Sequence, residues 1–234
     1  MKILFLNAWK GRLAGPISTF IKQQVRDTDV FCFQEAHEPM QSLCHDLLAD
    51  YNKVIANKTV SEVNDFCQAT YARKNIDIVS SDTVFADQTD VGLAIDLQIK
   101  ISGQNMHIVN VHGASRPSDK LDTPARIEFS SGLIERLKSK TGPRVIGGDF
   151  NAFPSTQSIR TFRESGYRDL IYDFDIRNTR NRFSWEKYPD DDEATRQYFS
   201  DYAFVSNGVI VKKFSVLGDE VSDHLPLSLE LDYS

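Results

Sequence analysis

The sequence Val145-Ile146-Gly147-Gly148-Asp149-Phe150-Asn151 places an acid and an amide directly after a short apolar run. Val145 and Ile146 predict a short buried strand, because a brief apolar run bounded by glycines is typical of one. The two glycines permit a tight turn, which would carry Asp149 and Asn151 beyond the end of the sheet. We therefore expect these two side chains to share one opening.

A second polar cluster, Ser222-Asp223-His224, precedes the sequence Leu225-Pro226-Leu227-Ser228-Leu229-Glu230-Leu231. Its alternation of apolar and polar residues predicts a half-buried strand. Asp223 and His224 would then lie at the entrance to that strand. Both polar clusters are thus expected to face one cleft at the edge of a sheet.

The N-terminal part of the chain predicts a β-α-β-α order. The apolar runs at 2–7 and 30–33 predict strands. Gly15-Pro16 and Pro39 begin helices, because proline is favoured in a first helical turn and apolar residues follow at helical spacing.

The rest of the chain predicts mainly strands, with two more helices between them. Thr123-Pro124 begins a helix that ends before Gly142-Pro143, and Ser155 begins a shorter one that ends at Gly166. The Asp- and Arg-rich segment 173–196 is predicted to be a loop. Apolar runs separated by polar turns predict strands at 51–56, 69–72, 76–85, 91–101, 106–111, 199–205, 209–216 and 225–231.

Together these elements predict an α/β (α+β) fold. The expected architecture is a four-layer α/β sandwich, in which two packed mixed β-sheets are flanked by helices. No repeat, linker or low-complexity tract divides the sequence. Residues 1–234 are therefore expected to form a single domain.

The composition excludes several classes of protein. With 41% hydrophobic and 26% charged residues, the chain is typical of soluble globular proteins, and it has no apolar run of the ~18 residues that a membrane span needs. The formal net charge of −6 argues against a protein that coats nucleic acid, but it is compatible with a local basic groove. The first apolar run is shorter than the ~7 residues of a signal peptide's apolar region, and three cysteines without paired or metal-ligand spacing favour a reducing compartment. We expect a cytoplasmic monomer without stable membrane insertion.

Polar residues that can bind metals or phosphate recur at the ends of the predicted strands. They are Asn7, Glu35, His112, Asp149, Asn151, Asp201, Asp223 and His224. Each has an ordinary explanation, such as a turn cap, a satisfied buried histidine or a hairpin residue. Four carboxylates and two imidazoles at one sheet edge nevertheless require a cation or a phosphate to compensate them. The sequence also lacks a Gly-x-Ser-x-Gly elbow, a Walker loop and a His-Glu-x-x-His helix, so the set favours a hydrolytic metal site.

Six short motifs contain these residues. They are Leu6-Asn7-Ala8-Trp9, Phe33-Gln34-Glu35, Asn110-Val111-His112, Gly148-Asp149-Phe150-Asn151, Asp201-Tyr202-Ala203-Phe204-Val205 and Ser222-Asp223-His224. In kind and in order they resemble the motifs of the endonuclease/exonuclease/phosphatase (deoxyribonuclease I-like) superfamily, over nearly the whole chain. The resemblance implies a four-layer α/β sandwich and a phosphoester hydrolase that depends on Mg²⁺ or Mn²⁺.

The resemblance also implies a metal-binding set. Glu35 would be the principal metal carboxylate, with Asn7 beside it. Asp223 would join or orient the same shell. Oxygen ligands of this kind are those that Mg²⁺ prefers in proteins.

The remaining motif residues are implied to act on the water and the phosphate. Asp149 would position and deprotonate the attacking water, and Asn151 would hold the water or a phosphate oxygen. His224, oriented by Asp201, would donate a hydrogen bond to a non-bridging phosphate oxygen as charge develops there. His112 would serve the phosphate or the leaving oxygen.

The resemblance leaves the substrate open, because no branch of the superfamily is matched throughout. Abasic-site endonucleases typically carry Asn-x-Asn at the first motif and a tyrosine in place of His112. Secreted deoxyribonucleases carry signal peptides and disulfides, and sphingomyelinases carry membrane-binding elements. The sequence predicts neither, and the lysine-rich motifs of inositol phosphatases have no match in it.

Basic loops that follow the strands are expected to contact further parts of the substrate. Three such clusters stand at Lys10 and Arg12, at 116–126 and at 177–182. The candidate substrate-binding residues in and beside the last two clusters are Arg116, Arg180, Arg182 and Trp185.

Three functions fit the sequence. The leading hypothesis is a phosphodiesterase that acts on nucleic acid by in-line attack of an activated water. The alternative is a phosphatase or phosphodiesterase for a small phosphorylated metabolite or a lipid headgroup. A non-catalytic binding module is disfavoured, because Glu35 and Asp149 are both present.

Overall fold

The computed structural model describes residues 1–61, 64–101, 103–186 and 196–233, and its strands form two sheets of six strands each. The first sheet has the order β11-β12-β1-β2-β4-β3 and the second β5-β6-β7-β8-β10-β9. The strands of the first sheet are β1 (Lys2–Asn7), β2 (Val30–Gln34), β3 (Tyr51–Ser61), β4 (Asn64–Arg73), β11 (Val209–Val216) and β12 (Leu227–Tyr233). Those of the second are β5 (Asp77–Val84), β6 (Leu93–Ile101), β7 (Gln104–His112), β8 (Arg144–Asp149), β9 (Arg168–Asp169) and β10 (Asp201–Val205).

Six α-helices are found in the described part of the chain. They are α1 (Ala14–Gln24), α2 (Glu38–Leu47), α3 (Pro124–Lys138), α4 (Gln157–Glu164), α5 (Leu170–Asp173) and α6 (Arg182–Trp185). The side chain of Thr123 caps α3 by accepting a hydrogen bond from the backbone N–H of Arg126 at 3.2 Å, as the sequence predicts. Within the described residues, no helix is long and apolar enough to cross a membrane.

Alternation along the central strands explains the layers. Leu4 and Phe31 belong to a core cluster with Ile17 and Phe20 of α1, whereas Phe5, next to Leu4, belongs to the larger cluster that joins the two sheets to α3 and α4. Successive residues of a strand face opposite sides, so the first sheet has two buried apolar faces. The predicted four-layer sandwich of two mixed sheets flanked by helices is therefore confirmed.

Strand direction brings the polar ends together. β1 is parallel to β2, with Asn7 opposite Gln34, and β7 is parallel to β8, with His112 opposite Asp149. β10 is antiparallel to β8, and β12 is antiparallel to β1. Asp201 therefore starts its strand opposite Asp149. Asp201 begins β10, and Asp223 and His224 precede β12, as predicted for these two residues. All three reach the same edge because β10 and β12 run antiparallel to β8 and β1.

A seam of amide side chains lies between the two sheets, beneath this edge. Asn110 of β7 accepts a hydrogen bond from Gln34 Nε2 at 2.6 Å through its side-chain oxygen, and its Nδ2 donates to Thr70 Oγ1 at 3.2 Å. Gln68 Nε2 donates to the backbone carbonyl of Asn110 at 3.0 Å. All four side chains are buried. We call these four residues the amide seam.

Two predicted segments differ from the structure. The strands predicted at 51–56 and 69–72 extend into a long hairpin, because the polar residues between them continue the ladder, with Lys58 opposite Phe66. The segment predicted as a loop at 173–196 contains α6, whose first turn is capped by Asn181 through a hydrogen bond from Phe183 N at 3.0 Å. Residues 187–195 of that segment lie outside the described residues.

Candidate active site

The glycines before Asp149 have a different role from the one predicted. Gly147 and Gly148 lie inside β8 rather than in a turn. A Cβ atom at Gly147 would lie 2.8 Å from the ring of Phe5, and one at Gly148 would lie 2.2 Å from the carbonyl oxygen of Val111. The glycines therefore allow β8 to pack closely between its neighbours. Gly148 also has a positive φ of +130°, which residues with a side chain rarely adopt, and a left-handed backbone follows at Asn151, whose φ is +52°.

The predicted acids, amides and imidazoles meet at the edge where these strands end. We call this set the strand-end site. Its members are Asn7, Glu35, His112, Asp149, Asn151, Asp201, Asp223 and His224.

Asp149 is the centre of the strand-end site, and both of its oxygens accept hydrogen bonds. Oδ2 accepts one from Asn7 Nδ2 at 2.9 Å. Oδ1 accepts one from Ser200 Oγ at 2.5 Å and another from the backbone N–H of Asn151 at 2.9 Å. The Asp149 carboxylate is only 2% exposed, and these donors fix its orientation. Hydrogen bonds of this kind favour the ionised form.

Positive neighbours keep the Asp149 carboxylate charged. Burial alone would raise its pKa, but His224, His112 and Lys120 together hold the pKa well below its usual range. His224 Nε2 lies 3.7 Å and His112 Nε2 4.0 Å from Asp149 Oδ2. A phosphate or a water placed here would thus meet a fixed anion beside two imidazoles.

His224 is oriented by Asp201, as the resemblance implies. Nδ1 lies 2.9 Å and 3.0 Å from the two oxygens of Asp201, and Nε2 lies 3.9 Å from Asp223 Oδ1. The backbone N–H of Asp201 donates to Thr179 Oγ1 at 3.1 Å, which anchors the pair. Burial would lower the pKa of His224, but the carboxylates of Asp201, Asp149 and Asp223 outweigh it and raise the pKa above its ordinary value.

His112 differs from His224 in the direction in which its pKa is shifted. Burial lowers its pKa, although the carboxylates of Asp149 and Glu35 oppose this effect. Its ring meets Phe66 edge-on, with centroids 5.0 Å apart. Among the described residues, Nδ1 is buried with no hydrogen-bond partner. The strand-end site therefore combines one imidazole that favours the neutral form with one that favours the charged form.

Glu35 and Asn7 form the side of the site that suits a divalent cation. Glu35 has a left-handed backbone, with φ of +48°, and is partly exposed. Asn7 Nδ2 lies 3.4 Å from Glu35 Oε1, and Asn7 Oδ1 accepts a hydrogen bond from the backbone N–H of Trp9 at 3.0 Å. The amide thus links the carboxylates of Glu35 and Asp149, and it would have to turn over to offer its oxygen to a metal.

A second arrangement of metal-binding atoms occurs beside it. Asp149, Asp201 and His224 each offer a ligand atom within 4.8 Å of the others. His224 Nδ1 already faces Asp201, so only its Nε2 is open to a ligand in this arrangement. Both sets present the carboxylate oxygens that hard divalent cations prefer.

The predicted substrate-binding residues are distributed unevenly. Arg180 lies at the site, because its Nη2 is 2.9 Å from Asp223 Oδ2 and its Nε donates to Ser184 Oγ at 2.7 Å. Arg116 is exposed and lines a groove of 410 Å³ together with Phe66, the ring that contacts His112.

Two further candidates already contact other side chains of the protein. Arg182 is paired with Glu186 and Glu220, each at 2.9 Å. The Trp185 ring packs on Tyr198, with centroids 5.4 Å apart. Their roles in substrate binding stay predictions.

Two residues at the site were missed by the sequence reasoning. Ser200 directly precedes Asp201 and binds Asp149, but its position before a predicted acid was the only signal for it. Lys120 belongs to the basic cluster at 116–126, yet it is only 3% exposed. Asp149, Asp201 and Asp223 all act on its charge. The sequence does not reveal which of several basic loop residues turns inward.

Comparison with known proteins supports one family. The model of the Endonuclease/Exonuclease/phosphatase family matches residues 4–224. A mannosyl-6-phosphatase of Bacteroides thetaiotaomicron is similar over 100% of both chains, with 20% identity and a TM-score of 0.77. The human Nocturnin catalytic domain with bound sulfate anion is similar over 100% of this chain and 93% of that chain, with 16% identity and a TM-score of 0.71. A humanized TDP2 of D. rerio is similar over 99% and 98%, with 14% identity and a TM-score of 0.76. No curated protein matches by sequence.

At these identities the solved structures establish the fold alone. The family match is broader evidence, because it begins before Asn7 and ends at His224 and so contains the whole strand-end site. Enzymes of this family are hydrolases that act on phosphate esters. The chain therefore belongs to the Endonuclease/Exonuclease/phosphatase family.

Proposed function

We propose that this protein hydrolyses a phosphoester by in-line attack of a water, with Mg²⁺ or Mn²⁺ as cofactor. The observation that carries the proposal is the position of the ionised Asp149 carboxylate. It lies 3.7 Å and 4.0 Å from two imidazole nitrogens, and Asn7 joins it to Glu35. This arrangement offers an anion to a water and proton donors to a phosphate in one buried place.

Asp149 is proposed to orient the attacking water. Its lowered pKa keeps it ionised, but the same property makes it a weak base, so holding the water in line is its larger contribution. Asn151 would hold the water or a phosphate oxygen through its side-chain amide, which in the structure donates to the Gly113 carbonyl at 3.2 Å.

His224 is proposed to stabilise charge on the phosphate. Its raised pKa favours the imidazolium, and Asp201 fixes Nδ1 so that Nε2 faces the site. Nε2 would donate to a non-bridging oxygen as negative charge accumulates. His112 would act on the phosphate or the leaving oxygen.

Glu35, Asn7 and Asp223 are the residues proposed to hold the metal. Glu35 supplies a hard oxygen donor, and the Asn7 amide links it to the carboxylate of Asp149. When bound, the cation would neutralise the charge that builds up on the phosphate oxygens. Asn7 would ligate after its amide turns over, or would position the carboxylates from its present orientation.

For the substrate, we propose a small phosphorylated molecule, which is the alternative to nucleic acid given in the sequence analysis. All three arginines of the 177–182 loop already lie beside carboxylates: Arg177 is 2.5 Å from Asp175, Arg180 faces Asp223 and Arg182 faces two glutamates. A polynucleotide would have to compete with these pairs, and the net charge of −6 adds repulsion. The mannosyl-6-phosphatase of similar fold provides a precedent for a sugar phosphate.

A substrate panel tests both parts of the proposal. It would contain hexose phosphates, phosphorylated lipid headgroups, single-stranded DNA and RNA, abasic duplex and tyrosyl-linked ends, each with Mg²⁺, with Mn²⁺ and with chelator. We expect chelator-sensitive release of phosphate from a small ester, with weak dependence on salt. Activity that survives the chelator would exclude the metal mechanism. Cleavage of a polynucleotide that falls steeply with salt would instead support the nucleic-acid hypothesis.

A further inference from the structure

Lys120 reaches the strand-end site from the connection between β7 and α3. Its ammonium donates a hydrogen bond to the carbonyl oxygen of Phe199 at 3.2 Å. Phe199 is followed in the chain by Ser200, which binds Asp149, and by Asp201, which orients His224. The ammonium is thus held beside the segment that supplies two parts of the site.

The connection that carries Lys120 is fixed from both sides. The buried guanidinium of Arg126 donates hydrogen bonds to three backbone carbonyl oxygens of this connection, those of Ala114, Pro117 and Leu121. On the other side, the backbone N–H of Phe153 donates to the carbonyl oxygen of Lys120 at 3.0 Å. Lys120 itself has a left-handed backbone, with φ of +58°. Such a conformation in a lysine persists only where its surroundings impose it.

The charge of Lys120 is balanced by the site. Burial lowers its pKa to about 7, and Arg180 lowers it too, while Asp149, Asp201 and Asp223 act to raise it. An ammonium has three N–H donors, and within the described residues the Phe199 carbonyl is the single acceptor found for this one. Burying an ammonium whose donors are left unused is costly. An anion placed in the strand-end site would use them.

We infer that Lys120 is a phosphate-binding residue, which donates a hydrogen bond to a non-bridging oxygen of the substrate phosphate and of the phosphate product. The inference rests on the proposed function and adds to it a cation that the motifs do not contain. His224 would act on the phosphate from the segment that precedes β12. Lys120 would act from the loop after β7, where the hydrogen bond to Phe199 places its amine.

Affinity for inorganic phosphate tests the inference directly. Calorimetry with Mg²⁺ present would compare the wild-type protein with Lys120→Met and with Lys120→Gln, which keeps a donor and loses the charge. We expect Lys120→Met to weaken phosphate binding by about 10- to 100-fold, the range of one charge-assisted hydrogen bond, and Lys120→Gln to weaken it less. The Mg²⁺ concentration for half-saturation should stay unchanged. Lys120→Gln also keeps the test decisive if the Met variant does not fold.

Lys140→Met is the matched control. Lys140 lies 2.9 Å from Asp82 and 3.9 Å from Asp96, so its replacement also removes a cation from beside two carboxylates, but next to the His107–Asp96 pair rather than at the strand-end site. We expect it to lower the melting temperature and to leave phosphate affinity unchanged. Equal weakening by Lys140→Met and Lys120→Met would overturn the inference, because a general loss of charge would then explain both.

Two other results separate this inference from the proposed function. If the Lys120 variants bind phosphate like the wild type while their melting temperature falls or their Mg²⁺ requirement rises, Lys120 is a structural counter-charge and the inference fails alone. If the wild type binds phosphate through Lys120 but hydrolyses no ester of the panel, the proposed function fails and the binding site stands.

Discussion

Two buried histidine–aspartate pairs lie at opposite ends of the second sheet. His107 Nδ1 lies 2.8 Å from Asp96 Oδ1, and His224 Nδ1 lies 2.9 Å from Asp201 Oδ2. All four residues are buried. The two pairs are alike in this contact, although His224 Nδ1 also lies 3.0 Å from the second oxygen of its aspartate.

The difference lies in the other imidazole nitrogen. Within the described part of the chain, His107 Nε2 is buried with no hydrogen-bond partner, whereas His224 Nε2 faces the carboxylates of Asp149 and Asp223. A histidine–aspartate pair is therefore not a site by itself. It becomes one where further charged groups converge on its free nitrogen and a substrate has an opening to reach it.

The largest expected effect comes from replacing Asp149, the acid that lies beside the His224–Asp201 pair at the strand-end site. Asp149→Asn should lower kcat by about 10³-fold, because the amide cannot supply the negative charge that orients the water. Steady-state kinetics on the best ester of the panel would measure it. Asp96→Asn is the matched control: it should lower the melting temperature and leave kcat of the folded enzyme close to wild type. Equal losses in kcat would erase the distinction between the two pairs.

The next effect concerns the two pairs themselves. Asp201→Asn should lower kcat by about 10²-fold, with a smaller change in KM, because His224 loses its orientation and its charge partner. His107→Gln should instead reduce the free energy of unfolding by about 1–3 kcal/mol, because Asp96 loses a buried hydrogen bond. Urea unfolding and kinetics on both variants would check that Asp201→Asn mainly lowers kcat and that His107→Gln mainly lowers stability. A kcat for Asp201→Asn near wild type would contradict the assigned role of His224.

The pH dependence of stability offers a third comparison. The pKa of His224 is raised in the folded protein, so the protonated histidine contributes stability that is fully present below its unfolded value of 6.5. That contribution is lost as pH rises through the folded pKa. With chelator present, the difference in unfolding free energy between wild type and His224→Gln should therefore be largest at acid pH and shrink towards pH 9. A difference that grows with pH would show that burial outweighs the carboxylates.

The smallest effect is expected from an exposed cluster. The Arg182 side chain is 52% exposed between Glu186 and Glu220, and solvent-exposed ion pairs of this kind contribute little to stability. Arg182→Ala should therefore leave stability and hydrolysis of a small ester nearly unchanged. A large loss of activity, confined to polynucleotides and strongest at low salt, would restore the basic loop to the role that the sequence assigned to it.

Residue type and strand position were enough to predict most of the strand-end site. Asn7, Glu35, His112 and Asp149 stand at the ends of apolar runs, and parallel pairing brings such ends together. The direction of the strand after Asp201 could not be read from its residues, because an apolar alternation is the same in both directions. The glycines of β8 were misassigned for a similar reason. Glycine is required both in a tight turn and where neighbouring strands pack closely, so the residue type does not distinguish the two.

Other parts of the molecule depend on contacts between distant segments. Thr179 holds Asp201 across a stretch of loop, and Lys120 turns inward because Arg126 and Phe153 fix its backbone. The His107–Asp96 pair depends on the register between β6 and β7. None of these contacts has a local sequence signature.

The amide seam limits which substitutions this protein can accept. Asn7 and Glu35 belong to the first sheet and its edge, whereas His112 and Asp149 end strands of the second. The reacting geometry therefore depends on how the two sheets are aligned, and apolar contacts alone would tolerate a small slide between them. The directional hydrogen bonds from Gln34 and Gln68 to Asn110 would be broken by such a slide. Substitutions should accordingly be tolerated better in the outer helices than at Gln34, Gln68 and Asn110. These three amides hold the two halves of the strand-end site in alignment.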